Sequence, residues 1–208
     1  MQELIIQTQN KIRFLTLNRP EKRNALNYNL MKTLSQAIRE ANNDPEIKVI
    51  VINSTSDKAF CSGLDLKELK EFIDNGKTRE YFQAFSEIIL ALEDSIKPTI
   101  SVVRGYALAG GCGIAVGCDI TIASVNSKFG IPEINIDMWP MIISYPLLKF
   151  ISPKKVLELS LTGRIIEAKE AKEIGMVSFV LEDNELDNFL SQILENLSSR
   201  ELLTLKMG

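Results

Sequence analysis

The chain has 208 residues and contains no histidine. This excludes Ser-His-Asp and Cys-His relays as well as zinc sites built on an H-E-x-x-H motif. Only three cysteines are present, at Cys61, Cys112 and Cys118, without a C-x-x-C pair. We therefore expect reduced thiols, no disulfide and no metal site. Any acid–base chemistry must come from Glu, Asp, Lys, Tyr or Cys.

Long apolar runs and a strong charge of one sign are also missing. No uninterrupted run reaches the roughly 18 apolar residues of a membrane-spanning helix, and the opening MQELIIQTQNKIRF lacks the basic and apolar regions of a signal peptide. The net charge is −3, and the 24 basic residues are scattered. We therefore expect a cytoplasmic protein with neither a nucleic-acid nor a membrane partner.

Hydrophobic patterning predicts an α/β fold. A hydrophobic content of 45% is typical of one soluble globular domain. ELIIQT and KIRFLTL, with a turn at Gln9 and Asn10, predict a hairpin. NLMKTLSQAIREANN has helical spacing, whereas IKVIVINS, PTISVV and ITIAS predict buried strands with parallel pairing. Beyond Met138 the pattern is mainly helical, with a short strand MVSFVL before a final helix from Asp183.

The glycine-rich segment GYALAGGCGIAVGCD, residues 105–119, allows three interpretations. Its spacing is close to the fingerprint that binds a dinucleotide pyrophosphate. Alternatively, its glycines only form turns and permit close helix packing. In the third interpretation, SGLDL and AGGCG each link a predicted strand to a helix. Backbone N–H groups at the two helix starts would then meet at one sheet edge, as an oxyanion hole requires.

Five segments between Leu15 and Val180 resemble, in order and separation, the crotonase (enoyl-CoA hydratase/isomerase) superfamily: NRPEKRNALN, AFCSGLDL, GYALAGGCGIAVGCDITIAS, FGIPEINI and LTGRIIEAKEAKEIGMV. The resemblance implies an α/β, crotonase-like spiral of ββα units that acts on acyl-CoA thioesters. It makes the dinucleotide interpretation remote. It also implies a core domain over 1–182, followed at 183–208 by the start of a C-terminal helical segment that is incomplete, because relatives continue as helices that cover the acyl pocket and pack between subunits.

The resemblance further assigns site residues. The backbone N–H groups of Leu64 and Gly110 would bind the thioester carbonyl as an oxyanion hole, and Glu133 would be the acid–base group. The remaining positions are expected to bind substrate: Lys22, Arg23, Ala25, Ser62, Gly63, Asp65, Leu66, Lys67, Gly111, Gly113 and Trp139. For the basic pair, expected to meet CoA phosphates, the alternative is a solvated loop, and for Trp139 it is ordinary core packing. No cofactor is expected, since CoA is part of the substrate, and the implied assembly is a homotrimer or a dimer of trimers.

One carboxylate of the family's efficient hydratases is missing, because its position is Gly113. Adding water to a double bond uses two acid–base groups, whereas moving the bond from the 3,4 to the 2,3 position needs one base. We therefore expect isomerisation or modest hydration of enoyl-CoA in fatty-acid metabolism, with a catalytically weak acyl-CoA-binding protein as the alternative. Burial beside Ile131 and Trp139 should raise the pKa of Glu133, and Asp137 is expected to serve a turn.

Overall fold

The computed structural model describes residues 2–201 and Thr204. Its strands are β1 (Leu4–Gln9), β2 (Ile12–Leu17), β3 (Val49–Ser54), β4 (Ala59–Cys61), β5 (Thr99–Val103), β6 (Tyr106–Leu108), β7 (Ile120–Ser124), β8 (Lys128–Gly130), β9 (Ile165–Glu167) and β10 (Phe179–Leu181). Its α-helices are α1 (Tyr28–Asn43), α2 (Leu66–Asp74), α3 (Thr78–Glu93), α4 (Gly110–Gly117), α5 (Met141–Phe150), α6 (Pro153–Thr162), α7 (Ala168–Glu173) and α8 (Asp183–Ser198). Short 3₁₀ turns cover Pro20–Lys22 and Pro132–Ile136.

The predicted hairpin is confirmed, with its turn one residue later than expected. β1 pairs antiparallel with β2, and Gln9 lies opposite Ile12. The turn residues are therefore Asn10 and Lys11, with φ angles of 52° and 67°. Two successive positive φ angles match the twist of the flanking strands.

A six-stranded sheet has the order β1-β2-β3-β5-β7-β10. From β2 onward every neighbouring pair is parallel. The strands predicted from IKVIVINS, PTISVV, ITIAS and MVSFVL are all in this sheet. Their nearly continuous apolar sequences agree with burial on both faces.

A second sheet, in the order β4-β6-β8-β9, was not predicted. Each of its strands has only three residues, too few for a period-two pattern to be recognised in the sequence. β3, β5 and β7 of the large sheet are each followed by a strand of the small sheet and then by helix. This succession confirms the crotonase-like spiral of ββα units.

Apolar side chains lie on both faces of the large sheet. On one face, Leu186, Leu190 and Leu194 of α8 form a cluster with strand residues that include Val51 and Val102. The larger core lies on the other face and contains most of the buried residues of α1, α3 and α4. The final helix predicted from Asp183 is α8. Among the described residues, no helix combines the length and the apolar character needed to cross a membrane.

Candidate active site

Two glycine-containing loops lie side by side at the ends of β4 and β6. These strands are parallel neighbours in the small sheet. We expected the loops to follow β3 and β5 directly, but a short strand of the second sheet intervenes in each case. A second correction concerns Gly110 and Gly111, which occupy the first turn of α4 instead of preceding it. The ends of parallel strands lie at one sheet edge, so the two helix starts are adjacent.

The first loop presents the backbone N–H of Leu64. Leu26 bridges this loop, since its N–H donates to the Gly63 carbonyl at 2.8 Å and its carbonyl accepts from the Asp65 N–H at 2.9 Å. Alternate peptide groups of an extended chain point to opposite sides. The Leu64 N–H therefore points away from Leu26, and it donates no hydrogen bond within residues 2–201.

The second loop presents the backbone N–H of Gly110, the first residue of α4. Hydrogen bonding within this turn begins with the Gly113 N–H, which donates to the Ala109 carbonyl at 3.0 Å. The earlier N–H groups of a helix have no partner inside it. The Gly110 N–H likewise donates no hydrogen bond in the described part of the chain.

Close contact between the loops brings these two N–H groups together. Gly63 has a φ of +98°, and a Cβ atom there would lie 2.8 Å from the Ala109 Cβ and 3.5 Å from the Gly110 nitrogen. Ala109 itself has φ 50° and ψ −125°, a strained backbone for a residue with a side chain. Gly111 is also closely packed, because a Cβ there would lie 2.3 Å from the Cys61 carbonyl oxygen.

Glu133 lies in the 3₁₀ turn that follows β8. Desolvation by burial raises the pKa of its carboxyl to about 7, and a hydrogen bond from its own backbone N–H opposes the shift only in part. Its Oε2 atom is buried and has no hydrogen-bond partner among the described residues. Such a carboxylate is suited to accept a proton near neutral pH.

Asp137 ends the same turn with a φ of 55° and a ψ of 31°. Its N–H donates to the Ile134 carbonyl. Aspartate tolerates this left-handed conformation, so the predicted turn role is confirmed.

A cavity of about 550 Å³ joins these groups. Its wall includes six residues expected from the sequence: Ser62, Leu64, Leu66, Gly110, Glu133 and Trp139. The sequence did not identify the apolar residues that α3 and α5 contribute, which include Phe82, Phe85, Ile142 and Ile143. The spacing of the two phenylalanines on a helix was the available signal.

The other expected substrate-binding residues lie outside the cavity wall. Gly63 and Gly111 are buried in the close contacts described above, and Gly113 is buried where Ile143 covers it. Lys22, Arg23 and Lys67 are exposed. Ala25 is half-buried, and Asp65 pairs with Arg19 at 3.1 Å. None of these residues lines the cavity.

The cavity combines two N–H donors at helix starts, one carboxylate with a raised pKa and apolar walls. Paired donors of this kind stabilise negative charge that develops on a carbonyl oxygen. The carboxylate can remove and return a proton, and the apolar wall can bind a hydrocarbon chain. In the described part of the chain, no cluster of three or more carboxylate or thiol side chains could hold a metal ion.

Comparison with known proteins adds independent information. Residues 7–207 match the sequence model of a family described as Enoyl-CoA hydratase/isomerase. The chain is 33% identical over its whole length to a short-chain-enoyl-CoA hydratase of Clostridium acetobutylicum, 80% of which is covered. It is 38% identical over 88% of its length to a probable enoyl-CoA hydratase of Rhizobium meliloti, 70% of which is covered. A solved structure of human enoyl coenzyme A hydratase domain-containing protein 3 has a TM-score of 0.93, with 30% identity, over 100% of this chain and 81% of the human chain.

Proposed function

The chain belongs to the enoyl-CoA hydratase/isomerase (crotonase) family, and from that premise we propose that it moves the double bond of 3-enoyl-CoA thioesters to the 2,3 position. Leu64 and Gly110 donate hydrogen bonds to the thioester oxygen. Glu133 removes a proton from C2, and the electron pair moves onto the oxygen as a dienolate. The same carboxyl then returns the proton at C4, which leaves a double bond between C2 and C3 and regenerates the carboxylate.

The observation that carries this proposal is the buried Oε2 atom of Glu133, which has no partner in the described part of the chain and belongs to the same cavity as the two N–H donors. A buried carboxylate oxygen without a partner costs stability, and such groups are typical of catalytic acid–base sites. The absence of an ionised group at Gly113 favours isomerisation over hydration, because hydration uses a second acid–base group. We expect modest hydration of 2-enoyl-CoA as a side activity of the protein.

Paired substrates test the proposal directly. The protein is given 2-enoyl-CoA and 3-enoyl-CoA esters of matched chain length, and the products are separated by chromatography. We expect 3-enoyl esters to be converted to 2-enoyl esters faster than 2-enoyl esters are hydrated. Faster hydration would contradict the isomerase assignment. Binding of both esters without turnover would favour the acyl-CoA-binding protein instead.

We also propose that the reaction takes place without a cofactor and in an assembly of three or six chains, as the family resemblance implies. Turnover by protein that has been dialysed against a metal chelator supports the first proposal. A light-scattering mass of three or six chains supports the second, and a mass of one chain contradicts it.

A further inference from the structure

We infer that Arg19 is a positioning residue that sets the direction of the Leu64 N–H, an inference that rests on the proposed function. Arg19 follows β2, far from Leu64 in sequence, and its side chain is only 11% exposed. Its guanidinium contacts Asp65 Oδ2 at 3.1 Å, Glu3 Oε1 at 3.0 Å and the carbonyl oxygen of Ala25. A buried arginine with three separate partners joins the chain segments that carry those partners.

Two of these partners flank the bridge that orients Leu64. Ala25 immediately precedes Leu26, and Asp65 immediately follows Leu64. The bridge between Leu26 and Leu64 consists of the two backbone hydrogen bonds described above. Arg19 thus connects the two bridged segments, because it contacts Ala25 in one and Asp65 in the other. Movement of either segment would rotate the peptide group that contains the Leu64 N–H.

Asp65 has a second role that transmits this constraint. Its Oδ1 atom accepts a hydrogen bond from the Glu68 N–H at 3.4 Å and so caps α2, while Oδ2 faces Arg19. The side chain is therefore fixed at both oxygens. On the other side, the Tyr81 hydroxyl lies 2.9 Å from the Leu26 carbonyl oxygen and 3.2 Å from the Asp65 carbonyl oxygen. Arg19 and Tyr81 thus both contact Asp65, the residue that follows Leu64.

Arg19→Lys tests the inference, because lysine keeps the positive charge but cannot reach three partners with a planar fork. The variant is compared with wild type in the 3-enoyl-CoA assay. We expect kcat to fall by about 10- to 100-fold, as displacement of a catalytic group by about 1 Å does. KM should change by less than about threefold, because the donor acts mainly on the dienolate.

A second arginine provides a matched control. Arg13 on β2 forms a similar ion pair with Asp44 at 3.2 Å, and its side chain is 15% exposed. Neither Arg13 nor Asp44 lines the cavity. Arg13→Lys should reduce stability by a comparable amount and leave kcat within about twofold of wild type. A loss of kcat in both variants would show a general structural effect and would overturn the inference.

A second variant covers the case in which Arg19→Lys does not fold. Asp65→Asn removes the charge that Arg19 meets but keeps an oxygen that can cap α2. Asp65→Asn should also lower kcat. In the double variant, the loss of kcat should be smaller than the two single losses combined, because both changes act on the same contact. If wild type is active and either Arg19→Lys or Asp65→Asn keeps full kcat, this inference is wrong but the proposed function stands. A wild type that converts none of the esters overturns the proposed function, and this inference falls with it.

The infrared carbonyl stretch of a bound saturated acyl-CoA thioester gives a readout that does not require turnover. Hydrogen bonds from the two N–H donors polarise the bond and lower its frequency. We expect Arg19→Lys to reverse part of that shift, whereas Arg13→Lys leaves it unchanged. The same frequency in wild type and Arg19→Lys would overturn the inference.

Discussion

Ile143 fills the space that a side chain at Gly113 would need. A Cβ atom on Gly113 would lie 2.4 Å from Ile143 Cγ2 and 2.8 Å from Ile143 Cβ. Protein interiors are too closely packed to accept such contacts without movement. The glycine therefore allows α4 and α5 to approach each other, and a side chain introduced at this position would have to displace Ile143.

Gly113→Ala should therefore destabilise the fold by about 1 to 3 kcal/mol, the usual cost of overpacking. Gly113→Ala should cost less in an Ile143→Ala background than in wild type, because the two changes act on one space. Gly117→Ala is the control on the same helix, since a Cβ there would have only ordinary contacts at 3.5 Å. Urea denaturation measures wild type and each variant, including Ile143→Ala alone. Equal effects of the changes at Gly113 and Gly117 would contradict the packing argument.

Gly63→Ala should lower both stability and turnover. An alanine would be strained at a φ of +98° and would also press on Ala109, the residue before the Gly110 N–H donor. Gly76→Ala is the control, because it has a φ of +70° but no neighbour within 4 Å of a Cβ. We expect both variants to lose about 1 to 2 kcal/mol from backbone strain, but only Gly63→Ala to lose kcat. If Gly76→Ala loses as much kcat, the contact with Ala109 is not the cause.

The sequence predicted those parts of the site whose signal is local. The strand, glycine and helix patterns around Gly63 and Gly110 indicated two N–H donors, and the family resemblance singled out Glu133 as the proposed base. The strands β4 and β6, which place the donors, are too short to show a pattern of their own. Their pairing is a long-range property that no short segment contains.

Other features depend on contacts between distant segments. The sequence predicted that burial raises the pKa of Glu133, but not that its Oε2 atom has no partner among the described residues, because much of the wall comes from distant segments such as α3 and α5. The contact between Gly113 and Ile143 joins residues thirty positions apart. Sequence comparison could show that a carboxylate is missing at Gly113, but only packing shows what stands in its place.

Glu133→Gln should reduce turnover of 3-enoyl-CoA by about 10² to 10⁴, the usual contribution of a general base. Glutamine has nearly the same shape, so binding of a saturated acyl-CoA, measured by calorimetry, should persist. Asp137→Asn is the matched control, because Asp137 is an exposed acid in the same segment and asparagine tolerates its left-handed backbone. Unchanged turnover in Glu133→Gln would remove this residue from the mechanism.

The pH dependence of kcat/KM should reflect the same carboxyl. Glu133 must be ionised to accept a proton, and burial raises its pKa to about 7. We therefore expect kcat/KM to rise with pH up to about 7 and then to level off. A profile that is already level at pH 5 would contradict the raised pKa. The residual activity of Glu133→Gln should lack this rise.

Stability should change with pH in the opposite sense. The pKa of Glu133 is about 7 in the folded protein, against 4.5 for an unperturbed carboxyl. The folded state therefore binds this proton more tightly than the unfolded state does. The resulting stabilisation is complete below pH 4.5 and is lost as the pH rises through 7. It amounts to about 3 kcal/mol.

Glutamine does not titrate, so the thermal midpoint of Glu133→Gln minus that of wild type should increase between pH 4.5 and pH 7 and then remain constant. Other groups titrate in both proteins and cancel from the difference. A difference that is constant over this range would show that burial does not perturb the carboxyl, and the assignment of Glu133 as a base active near neutral pH would lose its physical support.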